Sequence, residues 1–380
     1  MDKKDYRAKI DEIDKQLVAL FAERMDICGE LAKYKKENGI PVLDPKRERE
    51  KLKEVEDLSP EKYRKYTSQL YSLLFELSRS HQSSVIGNGG ALSNRIKAAI
   101  SATPELFPES AVVACQGVEG AYSQLACEKL FRRPDIMFTG SFEAVFSAVE
   151  SGLCRYGVLP VENSTAGSVN SIYDLMQSRN FTIVRSARIK IDHNLLAKPG
   201  VSLSDIREIY THPQAISQCS EFLASLSGVT VIPCENTAIA AMRVSQSERN
   251  DIAAISSRRC MEQYGLECLS QSVQNSSGNY TRFICISKEL EIYPGADRTS
   301  FMATLPHKPG SLYKLLSKLY ALGINLNKLE SRPLPDRDFE FMFYFDLDTP
   351  VYSPEFLRLA DELGDVCESF VYLGSYSEVI

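Results

Sequence analysis

Histidine is scarce in this 380-residue chain: only His81, His193, His212 and His307 occur, and no HExxH or comparable ligand cluster joins them. The ten cysteines form no CxxC pair, so neither a zinc site nor any other metal centre is expected. Most of them sit in apolar segments, and Cys115, Cys219, Cys285 and Cys367 read as core. With no export signal they are expected to stay reduced and to act as small hydrophobes. No apolar run approaches the roughly 18 residues that span a bilayer. The start, Met1-Asp2-Lys3-Lys4-Asp5, opens a charged helix rather than the apolar stretch of a signal peptide. Positive charge is not in excess either. Lys+Arg number 44 against 50 Asp+Glu, a net charge of −6, which argues against nucleic acid or a membrane as a partner. The expectation is a cytoplasmic protein.

Hydrophobic residues make up 44% and charged residues 25%, the proportions of a globular chain, and the length suits two or three domains. The first, 1–90, reads as all α. Over 4–37 there is no proline and a single glycine, Gly29, while Ile10, Ile13, Leu17, Leu20, Phe21, Ile27 and Leu31 recur at helical spacing. Such a helix measures about 50 Å and outruns any core so small a domain builds. An intertwined homodimer, or a higher homo-oligomer, is the natural consequence. Asn38-Gly39-Ile40-Pro41 breaks the helix, a short charged helix starts near Pro45, and a third covers 60–82. Gly87-Asn88-Gly89-Gly90, Pro104 and Pro108 mark a linker, 91–109, with one short helix. In 110–288, short apolar runs at 111–115, 156–161, 208–210, 229–232, 252–255 and 283–287 alternate with helical stretches, the pattern of an α/β domain with mostly parallel sheet. From 299 to 380 the pieces 301–305, 311–322, 325–331, 339–347, 354–363 and 366–373 run strand, helix, strand, strand, helix, strand. That is an α+β, ferredoxin-like order.

One cation interrupts the apolar face of the long helix. At heptad spacing Ile10, Leu17 and Leu31 share a stripe with Arg24, and a charge there is costly unless an anion meets it. Arg7 and Lys35 lie on the next stripe, beside Phe21 and Cys28. Taken singly, these read as ordinary snorkelling or surface cations. Asp44, Arg47 and Glu48 then fall within one turn, and Ser78 and Gln82 share a face of the last helix. Polar groups converging on one interior make a pocket for a small polyanion. Together, Arg7, Arg24, Lys35, Asp44, Arg47, Glu48, Ser78 and Gln82 resemble, in order and spacing, the active-site pattern of the all-helical chorismate mutases. The resemblance implies a Claisen rearrangement of chorismate to prephenate, without nucleophile or cofactor, accelerated by positioning and electrostatics. It also implies the roles. Arg24, with Arg7 from a partner chain, holds the carboxylates; Lys35 and Gln82 donate to the breaking ether oxygen; Glu48 orients the ring hydroxyl; Asp44, Arg47 and Ser78 support them. An amide at position 82 donates at any pH, whereas a Glu would first need a proton.

In the α/β domain, Gly117-x-x-Gly120-x-x-Ser123, Glu162-Asn163-Ser164-Thr165-Ala166-Gly167 and Thr211-His212-Pro213-Gln214 each follow an apolar run, and Pro213 suits a first helical position. Each alone reads as an ordinary helix cap. The first also lacks the GxGxxG spacing, so no nicotinamide cofactor is implied. Joined by Thr281-Arg282-Phe283, however, the Glu-Asn-Ser and Thr-His-Pro-Gln stretches resemble the prephenate dehydratase family. That resemblance implies two α/β lobes around a cleft, in the manner of a type II periplasmic binding protein. It implies loss of CO2 and the ring hydroxyl from prephenate, giving phenylpyruvate. Thr281 is the residue marked for the leaving hydroxide. With a hydroxyl pKa far above neutrality it is better described as a hydrogen-bond donor than as a free acid, and Glu162 is the reserve acid. Asn163, Thr211 and Gln218 would orient the ligand, while Arg282 has two roles open, pairing with a carboxylate or supporting the structure.

Further on, Gly310-Ser311-Leu312-Tyr313 opens a helix and Glu330-Ser331-Arg332-Pro333 ends a strand; both resemble the amino-acid-binding ACT regulatory domain. Gly310 would let the backbone approach a ligand closely, and Asn325 would reach its charged groups. Ser311 stands where that family more often has Ala. The implied effector is L-phenylalanine, inhibiting the dehydratase; the alternative is a purely structural dimerisation module. In this order the three segments resemble the bifunctional chorismate mutase/prephenate dehydratase family of phenylalanine biosynthesis. Two rivals stand beside that reading. One is arogenate in place of prephenate, which no residue decides. The other is a non-enzymatic sensor of amino acids or aromatic acids, which would not need the mutase positions together with Thr281.

Overall fold

The computed structural model describes residues 3–86, 90–334 and 340–380. Met1, Asp2, the linker residues Gly87, Asn88 and Gly89, and Phe339 of an expected strand lie outside the described residues. The chain forms two compact units, one of residues 1–97, 304–327 and 351–370, the other of 98–303, 328–350 and 371–380. The C-terminal segment contributes to both.

Helices α1 (Lys3–Glu37), α2 (Pro45–Leu58) and α3 (Arg64–Ile86) occupy the first stretch. The first ends in a Schellman motif. The Ile40 and Gly39 amides donate to the Lys35 and Lys36 carbonyls at 2.9 and 3.4 Å, with Gly39 left-handed at φ 64°. Asp44 accepts from the Arg47 amide at 3.0 Å and Pro45 sits in the first turn, so α2 starts where its capping chemistry starts. Gly29 lets α1 and α3 close up, since a Cβ there would lie 3.1 Å from His81 Nε2. Yet Gly29 and Ala32 are the buried residues of α1, while Ile10, Ile13 and Leu17 are each 55% exposed. Most of the expected linker is helical, Ala91–Ala102.

The second unit is built on sheets. Strands β1 (Ser110–Gln116), β2 (Arg133–Thr139), β3 (Tyr156–Asn163), β4 (Gly167–Ser168) and β5 (Thr182–Lys190) belong to a first sheet. Strands β6 (Asn194–Ala197), β7 (Glu208–Thr211), β8 (Thr230–Pro233), β9 (Ile252–Ser256) and β10 (Glu267–Ser270) form a second, and β11 (Tyr280–Ser287) returns to the first. Next, β12 (Arg298–Thr304), β13 (Asn325–Pro333), β14 (Phe341–Asp348) and β15 (Ser369–Tyr376) make a third sheet, ordered β13-β14-β12-β15, and β16 (Glu378–Val379) rejoins the first. With helices Ser311–Ala321 and Pro354–Val366 between them, those strands keep the expected strand-helix-strand-strand-helix-strand order.

The expected mostly parallel sheet is not what forms. β1 runs parallel to β2 and β3, and β7 to β8 and β9, but β11 is antiparallel to both β3 and β5, and β6 to both β9 and β10. The cause is a double crossing. The chain leaves the first sheet along β5 and returns beside it along β11 in the opposite direction. The crossings, 191–193 and 271–279, run side by side: the Ile191 amide donates to the Asn279 carbonyl and the Val273 amide to the His193 carbonyl, both at 2.8 Å. β3 and β11 are buried on both faces. Val158, Phe283 and Cys285 pack to one side, and Leu159, Ile284 and Ile286 to the other, which is why these strands read as unbroken apolar runs.

Candidate active sites

In the helical segment Arg24 reaches from α1 to α3, where its Nη1 donates to Ser78 Oγ at 2.5 Å. Ser78 and Gln82 are the buried residues of α3, and Gln82 Oε1 is buried with no partner. Lys35 Nζ donates to the Val42 carbonyl at 2.7 Å. Glu48 pairs with Arg79, which also pairs with Glu76; the sequence pattern did not single out Arg79. Asp44 is occupied as a helix cap and Arg47 is exposed. Arg7 is exposed too, and it lies about 25 Å from Arg24 along the helix at 1.5 Å per residue. One helix cannot bring both arginines to one small substrate.

The α/β site is more tightly specified. β3 and β11 pair in the register Asn163–Thr281 and Glu162–Arg282. Strand alternation then puts Asn163 and Thr281 on one face, Glu162 and Arg282 on the other. Asn163 Nδ2 donates to Thr281 Oγ1 at 2.9 Å, to Asn279 Oδ1 at 2.7 Å and to the Tyr280 carbonyl at 3.2 Å. Its Oδ1 accepts from the amides of Thr165 and Ala166, at 3.1 and 2.9 Å, and from the Thr165 hydroxyl at 2.7 Å. Backbone amides only donate, so they fix which end of the Asn163 amide faces which way. Thr281 Oγ1 therefore receives a hydrogen bond and keeps its own proton free to give.

Gln218 ends the helix Pro213–Gln218 that follows β7, in the second lobe. Its Nε2 donates to Thr165 Oγ1 at 2.9 Å and approaches Asn163 Oδ1 at 3.5 Å, and its Oε1 meets His193 Nε2 at 2.9 Å. Asn163, Gln218 and Thr281 are thus brought together. Thr211 is not with them: fully buried, it donates to the Ile255 carbonyl at 2.9 Å and anchors the strand that leads into the helix. Thr165, Asn279 and His193 join the network without having been singled out. Thr165 lay inside a quoted motif, whereas nothing local in the sequence marks the other two.

A network whose one free polar hydrogen sits on Thr281 suits departure of a hydroxyl, and the comparisons agree. Residues 113–291 match the family model for prephenate dehydratase, and residues 6–83 that for chorismate mutase type II. The bifunctional chorismate mutase/prephenate dehydratase of Escherichia coli K12 is 32% identical over 379 residues, spanning 97% of this chain and 95% of its own. The chain belongs to the bifunctional chorismate mutase/prephenate dehydratase family. The arogenate dehydratase/prephenate dehydratase 2 of Arabidopsis thaliana is 35% identical over 276 residues, 70% of this chain and 72% of that one. A crystal structure of prephenate dehydratase from Arthrobacter aurescens in complex with L-Phe superposes with a TM-score of 0.65 at 28% identity, over 70% of this chain and 89% of that one.

Two family-motif residues of the dehydratase domain turn away from the Asn163–Thr281 face. Arg282 is buried, pairs with Asp346, and donates to the Tyr376 hydroxyl at 2.8 Å. Burial by itself would lower its pKa, but the charges of Tyr376 and Asp346 outweigh that and hold it above its ordinary value. The carboxylate it meets belongs to β14, so the geometry gives Arg282 a structural part rather than a ligand. Removing Asp346 would strand a buried charge, at a cost of about 3–5 kcal/mol. Glu162, the reserve acid, accepts from Lys328 Nζ at 2.8 Å on that same far face. Lys328 also donates to Ser168 Oγ at 2.8 Å, and Ser168 donates to Glu330 at 2.5 Å. Arg332 grips Asp174 through Nε and Nη2 at 2.7 and 2.8 Å. Two members of the Glu330-Ser331-Arg332-Pro333 motif are thereby tied to dehydratase residues. Gly310 is left-handed at φ 86° and caps the helix Ser311–Ala321, while Asn325 donates to Asn327 at 3.1 Å.

Proposed function

We propose that the chain rearranges chorismate to prephenate in a helical site completed by a second copy, and converts prephenate to phenylpyruvate at the Asn163–Thr281 pair. The Asn163 Nδ2–Thr281 Oγ1 bond carries the reading. As the carboxylate leaves as CO2, its bonding electrons enter the ring, and the ring C–O bond breaks with its electrons on oxygen. The Thr281 O–H stabilises that departing hydroxide, which water then protonates. In the rearrangement a C–O bond breaks while a C–C bond forms, and negative charge grows on the ether oxygen, where Arg24, Lys35 and Gln82 supply donors. The exposed apolar stripe of α1 and the distance of Arg7 from Arg24 support a site shared between chains. Chorismate supplied to the protein is expected to yield phenylpyruvate. Prephenate piling up undehydrated would refute the second activity, and arogenate turned over faster than prephenate would transfer it to that substrate.

The third sheet and its helices are read as an ACT module whose ligand is L-phenylalanine. The left-handed Gly310 and the ties from β13 to Glu162 and Asp174 support this, as does the L-Phe found with the Arthrobacter relative. Inhibition needs unequal binding to two states; a tenfold preference shifts them by about 1.4 kcal/mol. Calorimetry on the full chain should detect L-phenylalanine binding. No heat, with dehydratase rates unchanged by the amino acid, would leave the module a structural one.

A further inference from the structure

His193 lies on the first crossing between the two lobes and is 3% exposed. The second crossing fixes its backbone: the His193 amide donates to Gln274 Oε1 at 2.9 Å and its carbonyl accepts from Val273 at 2.8 Å. The Tyr122 ring stands edge-on at 6.2 Å. The imidazole's hydrogen bond is the 2.9 Å contact between Nε2 and Gln218 Oε1, and Nδ1 is buried with no partner. An amide oxygen only accepts, so Nε2 carries the proton and Nδ1 is bare. Burial lowers the pKa of the ring, against the opposing pull of Gln218 and Asp192.

An amide is nearly symmetric in shape, and half a turn exchanges its oxygen and nitrogen at little steric cost. Only its partners choose between the two. As it stands, Gln218 shows its N–H groups to Thr165 Oγ1 and Asn163 Oδ1. Turned over, it would set oxygen against the Asn163 oxygen and N–H against N–H at His193. The choice matters for a substrate carrying two carboxylates, which attract an N–H and repel a carbonyl. We propose that His193 is a positioning residue of the dehydratase, whose Nε2–H locks the Gln218 amide with its N–H groups toward the Asn163–Thr281 site. The inference rests on the dehydratase reading. One side chain on the crossing thereby holds a residue of the second lobe in the orientation that joins it to the first.

Steady-state kinetics with prephenate test this in the full chain. His193→Leu should raise KM about tenfold, the size of one lost charge-assisted hydrogen bond, with kcat within about twofold and mutase turnover unchanged. His193→Gln, which offers an N–H at a similar reach, should recover most of that loss. Introducing His193→Leu into a Gln218→Met background should add nothing, because the amide it acts through is gone. A parental KM in His193→Leu, or losses that multiply in the double variant, would overturn the proposal. Should His193→Leu not fold, nitrogen-15 spectra of the imidazole-labelled parent decide, with His193→Gln assigning the signal: an Nε2–H tautomer is expected, and an Nδ1–H tautomer refutes the lock. An active parent giving either adverse result sinks this inference alone, whereas a parent without prephenate turnover sinks the dehydratase reading with it.

Discussion

The two catalytic regions differ in how far a single chain satisfies them. Around Asn163 both ends of the amide have partners, and those partners have partners, out to Gln218 and His193. In the helical region Gln82 Oε1 is buried with no partner, Arg7 is exposed, and the apolar stripe of α1 faces outward. A buried unpaired acceptor and a bare apolar stripe are both costly. A second copy of α1 laid alongside would cover the stripe and bring another Arg7. The lesson is that a polar network closed within one chain reports a site that chain can run, whereas open ends point to a partner and a substrate.

Four measurements would break or sharpen that contrast. The largest effect is expected at Thr281. Replacing it by Ala removes the free proton of the closed network and should cut dehydration by about 10²–10⁴-fold, with chorismate consumption intact so that prephenate accumulates. Thr281→Ser should keep part of the rate, and parental rates in both variants would make Thr281 a packing residue. Next is Arg24→Ala in the open network, expected to lower mutase kcat/KM by about 10²–10³-fold while prephenate turnover stays at the parental level. If both activities fell together, the two regions would not be independent. Gln82→Glu should have a smaller, pH-dependent effect. The new carboxyl must be protonated to donate, and burial raises its pKa, so mutase activity should hold in acid and decline as pH rises through that value. A flat profile, like the parent's, would remove Gln82 from the site. The smallest effect is expected from Lys328→Met, which cuts the tie from β13 to Glu162. The L-phenylalanine concentration for half inhibition should rise about fivefold, as for loss of roughly 1 kcal/mol of coupling. An unchanged response would exclude that contact as a route. This variant is cleaner than removing the chain from 299 onward, because the deletion also takes Asp346 and Tyr376 from the buried Arg282.

Much of the architecture was legible in the residues. Helical spacing of apolar side chains located α1, Asn38-Gly39 its end, Asp44-Pro45 the start of α2, and the six C-terminal pieces appear in the expected order. The strands that did not stand out are those without an apolar run: β2 opens on Arg133-Pro134-Asp135, β5 carries Arg185, Ser186 and Arg188, and β6 and β10 are only four residues each. Site residues were legible where a motif kept neighbours together, as in Asn163 to Thr165, and not where the partner came from elsewhere in the chain.

The sequence by itself determined what depends on neighbours within a few residues: helix lengths, caps, breaks, the two-sided apolar strands, and the motifs that identify the family. Those signals arise from hydrogen bonds and side-chain spacing inside one turn or one pleat. Only the tertiary structure decided direction and partnership. The return of β11 beside β5 made the first sheet mixed. The register of β3 against β11 put Asn163 with Thr281 while turning Glu162 toward Lys328, and Arg282 met Asp346 rather than a ligand. Such choices hang on where distant segments cross, and no local preference encodes a crossing. His193 is the clearest case. Its sequence neighbours say nothing of Gln218, and the two meet because the chain passes between the lobes at the place where the helix Pro213–Gln218 ends.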